Sequence, residues 1–281
     1  MNKTGRVLSV LAVLLALLSA VGCNKLKARD QLNKGVNSYK NARYEEAIEH
    51  FKNAVADDPS LLNAQLYLAT AYAQQYIPGA DTPDNVKFAE QAIEEFKKVL
   101  ATNPPKEQKI HSLKGIASLY YNMKKMDEAR HYYEEVAKLD PNDPETYYSL
   151  GVIDWMETYQ PRMDARAKLG LKPTDEPKDK KTCQDLLTAI KDKNVAKVDD
   201  GIQNLQKALQ LRPDYDDAMA YMNLMYRERA DLECDNPDAR NADLKTADDW
   251  VDKTMATKKA KAEKAGPGGQ VVAEPTEGAK Q

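Results

Sequence analysis

Histidine is nearly missing from this chain: His50, His111 and His131 are the three in 281 residues. They fall in different helical patterns with no ligand spacing between them, which speaks against a histidine-built metal centre or a histidine-driven nucleophile. The twelve glycines form no Gly-rich phosphate loop and no nucleophile elbow, and there is no His-Glu-x-x-His helix. Paired acids such as Glu45-Glu46, Glu94-Glu95 and Asp199-Asp200 are common, but on helices such pairs are solvated faces far more often than acid–base machinery. The chain therefore reads as a non-enzyme without cofactor or metal. Excess positive charge is absent too. The formal net charge is −3, and it becomes −5 once the N-terminal cations Lys3 and Arg6 are set aside, so nothing recommends a nucleic acid as partner. The apolar run at residues 7–18 falls short of the ~20 residues of a membrane-spanning helix. The alternation of β-branched and aromatic residues that marks strands is scarce.

Helix formers, by contrast, are plentiful. A content of 42% hydrophobic and 30% charged residues suits an all-α fold with a charged surface. One spacing recurs along the chain: Ala47-Phe51-Ala54-Pro59, Ala92-Phe96-Val99-Pro104, Ala129-Tyr133-Val136-Pro141 and Gly201-Leu205-Ala208-Pro213. Residues at i, i+4 and i+7 share one helix face. Proline has no N–H to give and clashes with the preceding turn, so each apolar helix stops there and another begins.

This series resembles the tetratricopeptide repeat, a helix-turn-helix unit of about 34 residues. In that motif, small residues let helices A and B approach and aromatics fill the gap to the next unit. The resemblance implies a solenoid of about five repeats over residues 28–258: 28–61, 62–105, 110–143, 144–215 and 216–258. The second unit carries Leu68, Ala69 and Tyr72 at motif positions, the third Leu113, Ile116, Ala117 and Tyr120, the fourth Tyr147, Leu150 and Gly151. The fifth carries Met219, Met222 and Tyr226, with a second helix expected at 239–257 bearing Ala247 and Val251. Gln31, Lys34 and Ser38 stand where the first unit should be apolar, as in a degraded terminal cap. The second, fourth and fifth units are stretched at the turn between helices A and B. The largest insert, about 160–192, is dense in proline and charge. Long loops in compact domains are functional or disordered, and the sequence leaves a docking element and a solvated excursion equally open. Residues 259–281 read as a disordered tail.

The N-terminus has a different character. Lys3 and Arg6 precede the apolar run, and Ser19-Ala20-Val21-Gly22-Cys23 follows it, which describes an export signal over 1–22. Gly22-Cys23 resembles the lipobox of bacterial lipoproteins, although Ala20 stands where leucine is commonest. The resemblance implies acylation of Cys23, a short tether over 23–27 and a place in the bacterial cell envelope. Asn24 after the cysteine favours the outer membrane, facing the periplasm. An oxidising compartment would permit Cys183 and Cys234 to pair; their proximity is not legible, and pairing stays open.

In tetratricopeptide proteins the concave groove is lined by fixed positions of helix A. Carried over, these positions give Tyr39 in the first unit, Lys114 and Tyr121 in the third, Tyr148, Val152 and Trp155 in the fourth, and Arg227 and Glu228 in the fifth. Tyr148, Val152 and Trp155 share one helix face and with Tyr121 would form an aromatic floor for a protein or peptide partner. The alternative is that the insert folds over them and makes them core. Three functions follow. The first is a membrane-anchored scaffold binding another envelope protein or peptide, possible work being outer-membrane or secretion assembly. The second is a periplasmic small-ligand carrier whose aromatic pocket the insert closes. The third, an enzyme lodged in the inserts, would need a convergent polar site that the sequence does not show.

Overall fold

The structure, a computed structural model, describes residues 23–177 and 179–265. The signal peptide expected at 1–22 and the tail beyond residue 265 lie outside the described residues. Among those described there are ten α-helices and no strand. The chain divides between Asp140 and Pro141 into two compact units.

The N-terminal unit comprises α1 (23–40), α2 (Tyr44–Asp57), α3 (Leu62–Gln75), α4 (Pro83–Ala101), α5 (Lys106–Asn122) and α6 (Met126–Leu139). Consecutive helices pair as hairpins, and the small–large–small positions of the sequence form the core. Ala47, Phe51 and Ala54 of α2 are buried, as are Ala92, Phe96 and Val99 of α4. The close approach is real: a methyl group on Gly35 of α1 would sit 2.5 Å from a ring carbon of Phe51. Each proline marks a stop. Asp58, which precedes Pro59, takes an extended conformation, and Asp140, which precedes Pro141, leaves the helical region, which relieves the clash with the proline ring.

Two findings differ from expectation. Residues 23–27 are not a tether; α1 is helical from residue 23, and Ala28 is already fully buried. The extra residues of the second unit do not all make a loop either. Most lengthen α4 to 19 residues against the 14 of α2 and α6. The remaining turn is pinned by Asn85, which accepts from the Ile77 amide at 2.7 Å and donates to the carbonyls of Ile77 and Ala80 at 2.8 and 2.7 Å.

The undisturbed A–B turns of the first and third hairpins place Ala42 and Lys124 in the left-handed region, with φ of 57° and 61°. A residue with a Cβ is strained there. Ala42→Gly is expected to raise the stability of this unit by about 0.5–1 kcal/mol, read from the midpoint of chemical denaturation; a lower midpoint would contradict the strain.

The C-terminal unit comprises α7 (Pro144–Lys168), α8 (Lys180–Leu211), α9 (Asp216–Leu232) and α10 (Pro237–Ala265). The insert expected at 160–192 is helical for most of its length, not a solvated excursion. It extends both helices of the fourth hairpin, so α7 reaches 25 residues and α8 reaches 32. Helix α7 runs straight through Pro161, a residue that costs about 3 kcal/mol inside a helix. Packing beyond it offsets that cost: Ala165 joins Leu186 and Ile190 of α8 and Leu232 of α9 in a small apolar cluster. The fifth hairpin is lengthened the same way. Its second helix spans 29 residues, well past the 239–257 expected, so residues 259–265 are helical rather than tail. Ala247 is buried as its motif position requires, but Val251 faces outward and Trp250 packs inward instead.

Candidate partner-binding faces

In the N-terminal unit the candidate face is formed by the A helices α1, α3 and α5. Gln108 of α5 donates to Asn63 of α3 at 2.8 Å, and Thr70 of α3 lies 3.4 Å from His111 of α5. The Gln74 side chain of α3 bonds Tyr39 of α1. Tyr39 packs edge-on to Tyr44 with ring centroids 5.3 Å apart. Tyr121 is half-buried with the Lys124 ammonium 5.8 Å from its ring, within cation–π range. Burial pushes both phenols up, so both stay neutral hydroxyls able to donate or accept. Burial, and after it the nearby charge of Lys114 on the same helix α5, disfavour protonation of His111. Helix α3, in the middle, has no charged residue. Interface cores are depleted in charge in this way, a depletion legible in the sequence itself.

In the C-terminal unit Tyr148 and Trp155 of α7 both meet Tyr221 of α9 edge-on, at 5.7 and 5.3 Å between ring centroids. Tyr215 adds to one end, 4.9 Å from Tyr148, and Tyr159 to the other, 4.9 Å from Trp155. Five rings thus form an unbroken row across α7 and α9. Tyr159, Tyr215 and Tyr221 were missed because the row crosses between repeats and runs into the extension of α7. Four rings of the row are half-buried and Tyr159 is exposed; the apolar residues of the insert, Ala165, Leu186 and Ile190, cluster with one another and with Leu232 of α9. Val152 is corrected. It is 3% exposed, so it belongs to the core and cannot touch a partner. Trp155 turns its indole Nε1 inward, out of contact with solvent, and presents its ring carbons.

Glu228 is also corrected. Its position should face the groove, but the extension of α7 reaches over it and leaves it 1% exposed. Arg162 and Arg166 of α7 there meet Glu228 and Asp231 of α9. Arg166 Nη1 donates to Asp231 at 2.6 Å and Arg162 Nη1 at 3.3 Å. Arg162 Nε lies 3.0 Å from Glu228 in an ionic contact that is not aligned as a hydrogen bond. Arg166 also donates to the backbone carbonyls of Lys172 and Asp175, clamping the turn between α7 and α8. Arg240 of α10 reaches Glu176 of that turn at 3.1 Å.

Burial pushes the Glu228 carboxyl up to about 7; the arginines oppose this and the Asp231 carboxylate adds to it. The folded state therefore holds a proton that the unfolded state, with an ordinary carboxyl, releases at lower pH. This contribution is complete below the unfolded value near 4.5 and is lost as pH rises through 7. Between pH 6 and pH 8 the C-terminal unit is expected to lose about 1 kcal/mol from this group alone. Glu228→Gln should remove that slope in paired denaturation curves; an unchanged slope would assign it elsewhere.

Cys183, in the first turn of α8, is bonded to Cys234, in the turn before α10, with Cα atoms 5.7 Å apart. The link ties the tips of the fourth and fifth hairpins together. Cys23 is a free, exposed thiol at the start of α1. Among the described residues no group of histidine, cysteine or carboxylate side chains could hold a metal ion, and no helix is long and apolar enough to cross a membrane.

Residues 32–107 and 111–143 match family models of the tetratricopeptide repeat. A curated relative, the Hsp70-Hsp90 organizing protein 3 of Arabidopsis thaliana, is 30% identical over 118 residues, 42% of this chain; the chain spans about a fifth (19%) of that relative's length. Among solved structures, a MamA protein from Desulfovibrio magneticus RS-1 superimposes with a TM-score of 0.54 at 18% identity, covering 83% of this chain and 96% of that one. YrrB, described as a tetratricopeptide protein with an unusual peptide-binding site, gives 0.52 at 15% identity, covering 88% and 97%. At such identities the structural likenesses concern fold alone. The fold is all-α and of the tetratricopeptide helix-turn-helix kind, and the matched hairpins of the N-terminal unit are tetratricopeptide repeats.

Proposed function

We propose that the protein is a membrane-anchored tetratricopeptide scaffold of the bacterial cell envelope, held by lipid on Cys23 and binding another protein or peptide through the exposed sides of its A helices. One observation carries the binding half: each unit keeps large aromatic side chains half-buried on that side, Tyr39 and Tyr121 in one, Tyr148 and Trp155 in the other, with Tyr159 exposed beside Trp155. Half-buried aromatics offer large apolar area at low entropy cost to a partner. Repeats of this kind typically bind rather than catalyse. The small-ligand alternative is less well supported, because residues 160–168 and 180–192 are taken up in extending α7 and α8.

A photoreactive residue at Tyr121 or at Tyr159 should capture the same polypeptide in the native host, and one at the exposed Lys87 of α4 should not. Equal capture from Lys87 would sink the groove assignment. Cys23→Ser should move the protein from the membrane fraction to the soluble fraction; full retention of the variant on membranes would remove the lipid anchor.

A further inference from the structure

We infer that the first turn of α1 is itself a membrane-contacting element, which lays Leu26 into the lipid headgroup layer beside the anchored Cys23. This rests on the lipoprotein reading above and goes beyond it, because a lipid anchor alone says nothing about how the folded unit meets the bilayer.

Three observations combine. There is no slack: α1 is helical from residue 23, and Ala28, five residues on, is fully buried in the hairpin core. Leu26 is 72% exposed, an apolar side chain with no packing role in the fold. It also lies on the same side of the helix as Cys23, since residues three apart are neighbours with Cβ atoms roughly 5–6 Å apart. An acylated Cys23 holds its sulfur at the glycerol level of the lipid. The polar layer outside the hydrocarbon is only about 5–8 Å deep on each side, so Leu26 stays within it whatever the tilt of the helix.

The charges around Leu26 are compatible with that place. Lys25, Lys27 and Arg29 flank it. Lys27 pairs with Asp57 at 2.9 Å. Asp58, held low first by its bond to Ser60, also feels Lys25 and Arg29. Asp30 is answered by Lys34 at 2.7 Å. The turn keeps one cation in excess of the acids that face it, which suits anionic headgroups modestly. The occupant is thus a lipid surface, met mainly by an apolar side chain, and the consequence is a restricted orientation of the N-terminal unit.

The test uses the full chain, produced in a lipoprotein-processing bacterium, with a photoreactive diazirine amino acid in place of Leu26 or, as control, of the exposed Asn37, about 16 Å further along α1. After irradiation of membranes, intact mass should show lipid adducts at least tenfold more abundant at 26 than at 37. Inserting Gly-Ser-Gly-Ser between Asn24 and Lys25 should keep the protein on membranes while cutting the adduct at 26 at least threefold. A lipidated protein with no lipid adduct at 26 overturns the inference and leaves the anchor standing. A mass showing no lipid on Cys23 overturns the anchor, and the inference with it.

Discussion

Asp231→Ala is expected to destabilise the C-terminal unit by about 3–5 kcal/mol, the cost of leaving buried charge without its partner. Asp231 is 4% exposed and is the shared acceptor of Arg166 at 2.6 Å and Arg162 at 3.3 Å. Arginine cannot escape by giving up its proton, so both guanidiniums would remain charged in the interior, facing a Glu228 carboxyl that burial already pushes up. The effect is easily isolated, because both tryptophans of the chain, Trp155 and Trp250, lie in this unit and their fluorescence reports its unfolding alone. The quadruple variant Arg162→Met, Arg166→Met, Glu228→Leu, Asp231→Leu should fare far better than the single one, since apolar replacement of a whole buried ion cluster is often neutral. A single-variant loss below about 1 kcal/mol would mean that water reaches the cluster.

Removing the disulfide should cost nearly as much. Cys183 and Cys234 close a loop of 51 residues, for which loss of unfolded-chain entropy corresponds to about 4 kcal/mol. The double serine variant is expected to unfold at markedly lower denaturant by tryptophan fluorescence, while the part of the helix dichroism that does not follow the fluorescence, that of the N-terminal unit, keeps its midpoint. Adding reductant to the wild type should reproduce the shift. Coincident midpoints with and without reductant would show that the thiols are not bonded in the protein as produced.

The proline-spaced repeats made the hairpins readable because one physical rule sets them: a small–large–small face needs a partner helix, and proline ends the helix on cue. The insert is legible only in part, in the helical run 183–190, for a reason equally physical. Local sequence from 160 to 192 is rich in breakers, and Pro161 argues for a loop, yet Arg162, Ala165 and Arg166 all find partners on α8 or α9, tens of residues away. Helix propensity could not reveal those contacts. Glu228 was placed in the groove by a rule for regular repeats, which fails wherever a neighbouring helix is lengthened over it. Tyr148 and Trp155 were legible from their shared face; Tyr221, which completes their row from the next repeat, was not, because no spacing within one helix points across to another. The degraded start of the array was legible in Gln31, Lys34 and Ser38, whereas the helical continuity from residue 23 to Ala28 was not.

Repeat proteins change length by gaining and losing interchangeable hairpins, each needing little more from its neighbour than an apolar face. The buried arginines of α7 deny that freedom here. A fourth hairpin separated from its own fifth would carry two cations into any new junction, and a fifth grafted elsewhere would bring carboxylates to a neighbour without guanidiniums. Within the C-terminal unit the two hairpins are therefore energetically inseparable: each is stable only with the other's charges in place.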